Sequence, residues 1–342
     1  MALRLGINGF GRIGRQVFKV IRQRYAGDIE VVAVNDLTDD AMLAHLLKYD
    51  SIYRRFPGTV EARDDALVIS DAAGTITVKS LAVRNPAELP WADLGVDFVL
   101  ESTGLFTDVT KAAMHLEAGA KRVILSAPAK GDCRTIVLGV NEGDYDPATD
   151  KIVSNASCTT NCLAPICKVL NDTYGIEQGF MTTIHSYTND QRLLDLPHSD
   201  AYRARAAALS AIPTTTGAAK AIHLIIPALK DRMNGISIRI PTPTGSVVDL
   251  VCSLAKAPKD KAEVNAAFAK AASEGPLAPY LDYEEDAIVT ADIVECPASS
   301  IFVPAWTMVS GNMIKVLAWY DNEWGYSNRM ADLLTYMAAR GI

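Results

Sequence analysis

Apolar positions change their rhythm about midway along the chain, and the change predicts two halves built differently. The run 3–7 is short and apolar, as in a buried strand, and the turn Asn8-Gly9-Phe10-Gly11-Arg12-Ile13-Gly14 follows it. Ile13, Val17, Val20 and Ile21 then recur at helical spacing. A second strand is predicted over 29–34, ending in Asn35-Asp36. Further strands fall over 98–100, 122–125 and 135–138, and a helix over 110–118 ends at Gly119. Strands alternating with helices predict a parallel sheet covered on both faces. A polar loop over 139–147 closes this half.

The second half reads as long strands grouped together, over 181–188, 236–241, 247–255, 288–294 and 306–320. Ser310-Gly311-Asn312 breaks the last as a hairpin turn. Such grouping predicts a mainly antiparallel sheet, with a helix over 261–273 against one face. A last helix carries Met330, Leu333, Leu334 and Met337 on one stripe, as an ordinary amphipathic core helix does. The segment 191–210 has no regular pattern and contains Arg192, Arg203 and Arg205. Loops of this length are functional or disordered, and a solvated basic loop is the plain alternative.

The glycine-rich turn changes the picture most. Gly-x-Gly-x-x-Gly alone is a weak pattern, but here it joins a strand to a helix, with an acid at the end of the next strand. In that setting Gly9 and Gly11 let the backbone approach a pyrophosphate at the helix N-terminus, and Asp36 accepts hydrogen bonds from ribose hydroxyls. Asp36 also suits a turn before Leu37-Thr38-Asp39. The loop ends Ser102-Thr103-Gly104 and Ser126-Ala127-Pro128 would line the same crevice.

The second chemical signal is Ser154-Asn155-Ala156-Ser157-Cys158-Thr159-Thr160-Asn161-Cys162. Leu163, Ile166, Val169 and Leu170 follow at helical spacing, so Cys158 falls where a helix begins. Free N–H groups and the positive dipole end there should lower the thiol pKa and favour the attacking thiolate. The hydroxyls of Ser157, Thr159 and Thr160 suit an anion at the same place. Pro165 predicts a kink or a later start to the regular helix. A partner base is available in Met181-Thr182-Thr183-Ile184-His185-Ser186-Tyr187-Thr188. Cys162, Cys167, Cys252 and Cys296 read as small core residues.

Composition narrows the class. A chain of 342 residues has room for about two domains, and 49% hydrophobic content supplies their cores. A net charge of −7 argues against bulk nucleic-acid affinity, so positive charge must be concentrated at a site if the substrate is anionic. Six scattered cysteines in a chain this large fit a reducing, cytoplasmic compartment. There is no signal-peptide pattern, no apolar run near the ~18 residues of a membrane span, and no second cysteine pair at zinc spacing.

The stretches around Cys158 and His185 resemble phosphorylating glyceraldehyde-3-phosphate dehydrogenases of the bacterial type. So do Ile212-Pro213-Thr214-Thr215-Thr216-Gly217-Ala218-Ala219-Lys220 and Trp319-Tyr320-Asp321-Asn322-Glu323-Trp324-Gly325-Tyr326-Ser327. These are long motifs in the family's order, and the likeness runs from the first glycines to the last helix. The resemblance implies a Rossmann-type NAD-binding domain over 1–157, with the helix 327–342 packed back on it. It also implies an α+β catalytic domain over 158–326. Cys158 would attack the aldehyde of glyceraldehyde 3-phosphate, His185 would act as base, and inorganic phosphate would open the thioester. Thr188, Arg203 and Arg239 would hold the substrate phosphate; Ser157, Thr159, Thr216 and Gly217 the attacking one. A structural salt bridge is the other reading of Arg239. Arg12 and Ile13 would meet the pyrophosphate through backbone, Asn322 the carboxamide, and Ser126 and Tyr326 the nicotinamide.

Arg84 would touch the adenine side, although Val83-Arg84-Asn85-Pro86 departs from the usual Glu-Arg-Asp-Pro. Tyr202 replaces a usual Arg, and Val303-Pro304-Ala305-Trp306 replaces an Asp and smaller residues. The family also implies a homotetramer in which the 191–210 loop meets a neighbouring subunit. The nearest rival, erythrose-4-phosphate dehydrogenase, shares the Cys–His chemistry but departs from Thr214-Thr215-Thr216-Gly217. A cysteine hydrolase leaves the dinucleotide fingerprint without purpose, and a non-catalytic NAD-binding protein leaves Cys158 and His185 without one.

Overall fold

The strand Leu3–Asn8 lies inside a nine-stranded sheet, with Ile29–Asn35 on one side and Phe98–Glu101 on the other, both parallel to it. The computed structural model describes residues 2–342. Beyond Phe98–Glu101 come Arg122–Leu125, Ile152–Ser154 and Arg134–Thr135, all parallel. Beyond Ile29–Asn35 comes Gly74–Leu81, also parallel, and then Ala66–Asp71 and Thr59–Arg63, antiparallel to their neighbours. Leu5, Ile7, Val34, Phe98, Val99, Leu100, Val123 and Ile124 are fully buried, as strands covered on both faces require. The chain leaves Leu3–Asn8 to opposite sides in turn, so the loops after the strands open a crevice at their carboxyl ends.

By its contacts the chain divides into two compact units. One runs through Ile136 and adds Gly143–Ala156 and Ser327–Ile342; the other is Val137–Glu142 with Ser157–Tyr326. In the first, Asp332 of the C-terminal helix Trp324–Ala338 accepts from Tyr25, and Asn328 accepts from Arg24 at 2.5 Å. The second holds an eight-stranded sheet. Its order is Ile212–Thr215, Met233–Ile240, Ile176–Ser186, Ser246–Leu254, Met313–Tyr320, Ser300–Phe302 and Leu281–Tyr283, with Met308–Ser310 paired to Met313–Tyr320. The sheet is mainly antiparallel, but two pairs run parallel, Ile176–Ser186 with Met233–Ile240 and Leu281–Tyr283 with Ser300–Phe302. Among the described residues no helix is long and apolar enough to cross a membrane.

Several elements differ from the sequence pattern. Residues 288–294 form turns rather than a strand: the Asp292 carboxylate takes the Val289 N–H at 2.7 Å, a local bond that competes with strand pairing. Their apolar side chains still serve a core, Ile293 packing with Ala298 and Ile301. Only Arg134–Thr135 pairs in the region expected as 135–138, because Asn141 Oδ1 takes the Val137 N–H into a turn at 2.9 Å. The helix expected over 110–118 is two short ones, Val109–Ala112 and Met114–Glu117. The helix Cys158–Tyr174 starts at Cys158 and continues through Pro165. The edge meander over 59–81 was not anticipated; its first turn uses Asp64 and Asp65 at φ 46° and 58°, a type I′ geometry.

Candidate active site

The backbone reaches Cys158 through a constrained turn. Ala156 adopts a left-handed φ of 55°, and its N–H donates to Ser154 Oγ at 3.0 Å. Ser157 is extended and caps the helix, its Oγ accepting from Thr160 N at 3.0 Å. Cys158 is therefore the first helical residue, half-buried, with Sγ 3.5 Å from His185 Nε2.

His185 lies one residue before the end of Ile176–Ser186, and parallel register sets Arg239 directly beside it. His185 Nδ1 stands 2.6 Å from Ser186 O; Arg239 Nη1 stands 3.0 Å from that carbonyl and 2.8 Å from the ring nitrogen. We assign both N–H groups as donors to Ser186 O, which leaves Nε2 as the acceptor facing the thiol. Tyr320 closes the other side. Its hydroxyl bridges Thr159 Oγ1 and Thr183 Oγ1, each at 2.9 Å, and its ring meets His185 edge-on with centroids 6.0 Å apart.

Electrostatics here correct the expectation of a thiol lowered by its helix position. Burial pushes Cys158 up; the Arg239 charge and hydrogen bonds from Thr159 pull the other way without prevailing. Burial, then Arg239, pushes His185 down to about 3. Each group alone is thus neutral, and the two titrate as a pair: moving the thiol proton to Nε2 creates opposite charges in contact. The Ser186 carbonyl, facing Nδ1–H, supports the imidazolium that results.

The anion-binding residues sort unequally. Arg239 has no carboxylate partner among the described residues, and its Nε is buried without a protein acceptor. Arg203, expected as its equal, is already matched: Nη1 meets Asp190 at 2.6 Å, Nε donates to Thr214 at 2.9 Å, and Asp200 lies at 3.5 Å. Thr188 donates to the same Asp190. The Thr159 hydroxyl shares a hydrogen bond with Tyr320 and also acts on the Cys158 thiol. Thr216 and Gly217 follow Ile212–Thr215, whose Ile212 is in register with Arg239, and a Cβ on Gly217 would meet open space. Asn322 Oδ1 accepts from Ser246 Oγ at 3.0 Å and Gly245 N at 3.2 Å, which leaves its NH2 as the outward donor. Tyr326 is buried, which raises its hydroxyl well above its ordinary value.

In the first unit the three glycines have separate reasons. Gly9 has φ 93°, and a Cβ there would come within 2.6 Å of Thr103 N; one on Gly14 would come within 2.2 Å of Gly9 O. A Cβ on Gly11 would enter open space. The helix Arg12–Arg24 begins at Gly11 with no side-chain cap and no acid in its first turn, so the end at Arg12 and Ile13 suits a pyrophosphate. Arg12 is held at its tip by Asp50 at 2.7 Å. Asp36 is positioned by Phe10 N at 3.0 Å and Thr38 N at 3.1 Å. It borders a cavity of about 330 Å³ together with Gly9, Gly11, Arg84 and Thr103. Ser126 stands at the end of Arg122–Leu125, its N–H on Glu101 O at 3.0 Å. These residues fit NAD. Sequence reasoning gave no role to Tyr320, Thr183 or Asp190; the first two lay inside quoted motifs, but nothing in their spacing showed the shared hydroxyl.

Residues 157–322 match the family model of the glyceraldehyde 3-phosphate dehydrogenase C-terminal domain, and residues 3–109 that of its NAD-binding domain. The glyceraldehyde-3-phosphate dehydrogenase of Streptomyces coelicolor is 55% identical over 338 residues, 98% of this chain and 99% of that protein. That of Mycolicibacterium smegmatis is 56% identical over 340 residues, 98% of each. The paired thiol and imidazole, the NAD-binding crevice and this full-length likeness agree: the chain belongs to the glyceraldehyde-3-phosphate dehydrogenase family.

Proposed function

We propose that the protein oxidises D-glyceraldehyde 3-phosphate with NAD and inorganic phosphate to 1,3-bisphosphoglycerate. The observation that carries this reading is Cys158 Sγ at 3.5 Å from His185 Nε2, with Arg239 on the far side of the imidazole. Nε2 takes the thiol proton as Sγ adds to the aldehyde carbon, and returns it to the oxyanion that forms, giving a thiohemiacetal on Cys158 with His185 neutral again. The helix N-terminal N–H groups at Cys158 suit the developing oxyanion. His185 then removes the thiohemiacetal hydroxyl proton as the hydride leaves, giving the thioester. NAD supplies the hydride acceptor when bound. Phosphate then opens the thioester and Sγ departs.

Arg239 supplies the charge for the substrate phosphate; Thr188 and Arg203 join it by giving up Asp190. Ser157, Thr159, Thr216 and Gly217 suit the attacking phosphate. Gly9, Gly11, Arg12, Ile13, Asp36, Arg84 and Ser126 hold the dinucleotide, with Asn322 on the carboxamide and Tyr326 near its ring. Leu193, Leu194, Leu196, Leu209 and Phe180 are exposed apolar side chains that suit burial in a homotetramer. Six unpaired cysteines suit the cytoplasm.

The test is NADH formation followed at 340 nm, an ordinary cuvette wavelength, run roughly as for any dehydrogenase. It should require both glyceraldehyde 3-phosphate and inorganic phosphate. Preference for erythrose 4-phosphate would replace the substrate assignment, and turnover without phosphate would remove the phosphorylating step.

A further inference from the structure

The glycine crevice rests on a buried polar chain that the reaction does not use. Trp91 and His115 are fully buried, and Glu101, Asn8 and Asn35 nearly so. Trp91 Nε1 donates to His115 Nδ1 at 3.0 Å, and His115 Nε2 lies 3.0 Å from Glu101 Oε2. Asn8 Nδ2 donates to the same oxygen at 2.6 Å, and Asn35 Nδ2 donates to Asn8 Oδ1 at 2.7 Å. Glu101 Oε1 takes Thr103 N at 2.8 Å and the Thr103 hydroxyl.

Donors along this chain point one way. An indole N–H only donates, so His115 Nδ1 must accept, and its one proton sits on Nε2, aimed at Glu101. A second proton on Nδ1 would face the indole N–H directly. Asn35 fixes Asn8 oxygen-in, so the Asn8 NH2 faces Glu101. Leu105 N donates to Thr103 Oγ1 at 3.0 Å, and the Thr103 hydroxyl has its own proton to offer Glu101. Four neutral donors on two oxygens suit a carboxylate at Glu101, solvated by dipoles and matched by no positive group among the described residues.

Its partners Asn8 and Thr103 border the same 330 Å³ cavity as Asp36. We propose that Glu101 is a second charge discriminating against a 2′-phosphate on the adenosine ribose, kept anionic and unmatched by the neutral chain that ends at Trp91. The inference rests on reading that cavity as the adenosine end of the cofactor site. Asp36 meets the ribose by contact; Glu101 acts through a low-dielectric wall, where a charge keeps more of its reach than in water. Its position also seats Asn8 and the Thr103 turn, so it serves NAD as it repels the phosphorylated analogue. Of the charged residues on elements packed against the His115 helix, Lys111 is exposed to solvent and the others are engaged elsewhere. Glu88 takes the Asn85 amide, and Arg122 donates to the carbonyls of Pro147 and Asp150. Phe106, edge-on at 6.4 Å, is the other aromatic neighbour of His115.

The experiment measures dissociation constants of NAD and NADP for the full-length protein and four variants, from about pH 5.5 to 8.5. Glu101→Gln should narrow the NAD preference about tenfold, the scale of one charge acting through a low-dielectric wall. Glu101→Asp, which keeps the charge, should retain most of it. Trp91→Phe keeps the apolar packing but removes the N–H facing Nδ1, freeing His115 to take a second proton and neutralise Glu101. Its preference should equal the parent's at high pH and narrow as the pH falls; a purely structural role would not move with pH this way. Asp36→Ala is the control. If Asp36→Ala narrows the preference while Glu101→Gln and Trp91→Phe leave it parental at every pH, the Glu101 proposal fails and the cavity reading stands. If Asp36→Ala also changes nothing, the cavity reading fails with it. Should Glu101→Gln not fold, the pH dependence of Trp91→Phe decides alone.

Discussion

Arg239→Leu separates the two duties that the geometry gives one side chain. The guanidinium lies against the His185 ring and Ser186 O, with Nε buried and without a protein acceptor. A charge-assisted hydrogen bond contributes about 1.5–3 kcal/mol, so losing the phosphate contact should lower kcat/KM for glyceraldehyde 3-phosphate by about 10–150-fold, chiefly through KM. Unphosphorylated glyceraldehyde lacks that contact. For it only the electrostatic duty matters, and there the effects oppose. The Arg239 charge lowers both the Cys158 and His185 proton affinities. Removing it raises both, so their difference, which governs proton transfer from Sγ to Nε2, changes little. Activity on glyceraldehyde should stay near parental, while the pH midpoint for iodoacetamide alkylation of Cys158 should move up. The assay is steady-state kinetics on both aldehydes beside an alkylation pH profile. Equal losses on both substrates, or a midpoint that stays put, would refute the reasoning and make Arg239 a support of the fold.

Cys158→Ser should abolish dehydrogenation while NAD titrates as in the parent, because a hydroxyl does not ionise where a thiol does; near-normal turnover would sink the assignment. His185→Asn should cost about 10²–10⁴ in kcat, the usual worth of a general base, and slow alkylation. The same variant tests burial. His185 is held neutral, pushed down to about 3, so the unfolded chain takes the extra proton first as pH falls. Its contribution is complete above about pH 6.5 and is lost progressively below, so parent and variant melting curves should converge toward acid; parallel curves from pH 7 to 4 would contradict this. For the cofactor, Asp36→Ala should gain on NADP in kcat/KM relative to NAD, because the Asp36 carboxylate puts like charge against a 2′-phosphate. A parent that uses both cofactors equally would overturn the role given to Asp36.

The sequence by itself determined the class of each half and its chemistry. Buried strands such as 31–34 and 98–100 announce themselves because both faces are covered, so the apolar run is continuous. The glycine turn is legible because its constraints are local: Gly9 needs its left-handed backbone, and Gly14 its missing Cβ against Gly9 O. Cys158 at a helix start is legible for the same reason, since the Ser157 cap and the apolar spacing behind it are both near neighbours. Where a local polar bond competes with a run of apolar residues, that reading fails, as at Asp292, which turns 288–294 away from the sheet.

Only the tertiary structure decided what depends on register and burial. Arg239 meets His185 because two strands 54 positions apart pair in parallel, and no periodicity encodes that pairing. The Tyr320 hydroxyl joins Thr159 to Thr183 across three elements. Arg203 proved matched by Asp190 and Asp200, which its charge alone did not reveal. The thiol shows the limit most clearly. A helix N-terminus favours the thiolate and is visible in sequence, but burial opposes it, and burial exists only once the chain has packed.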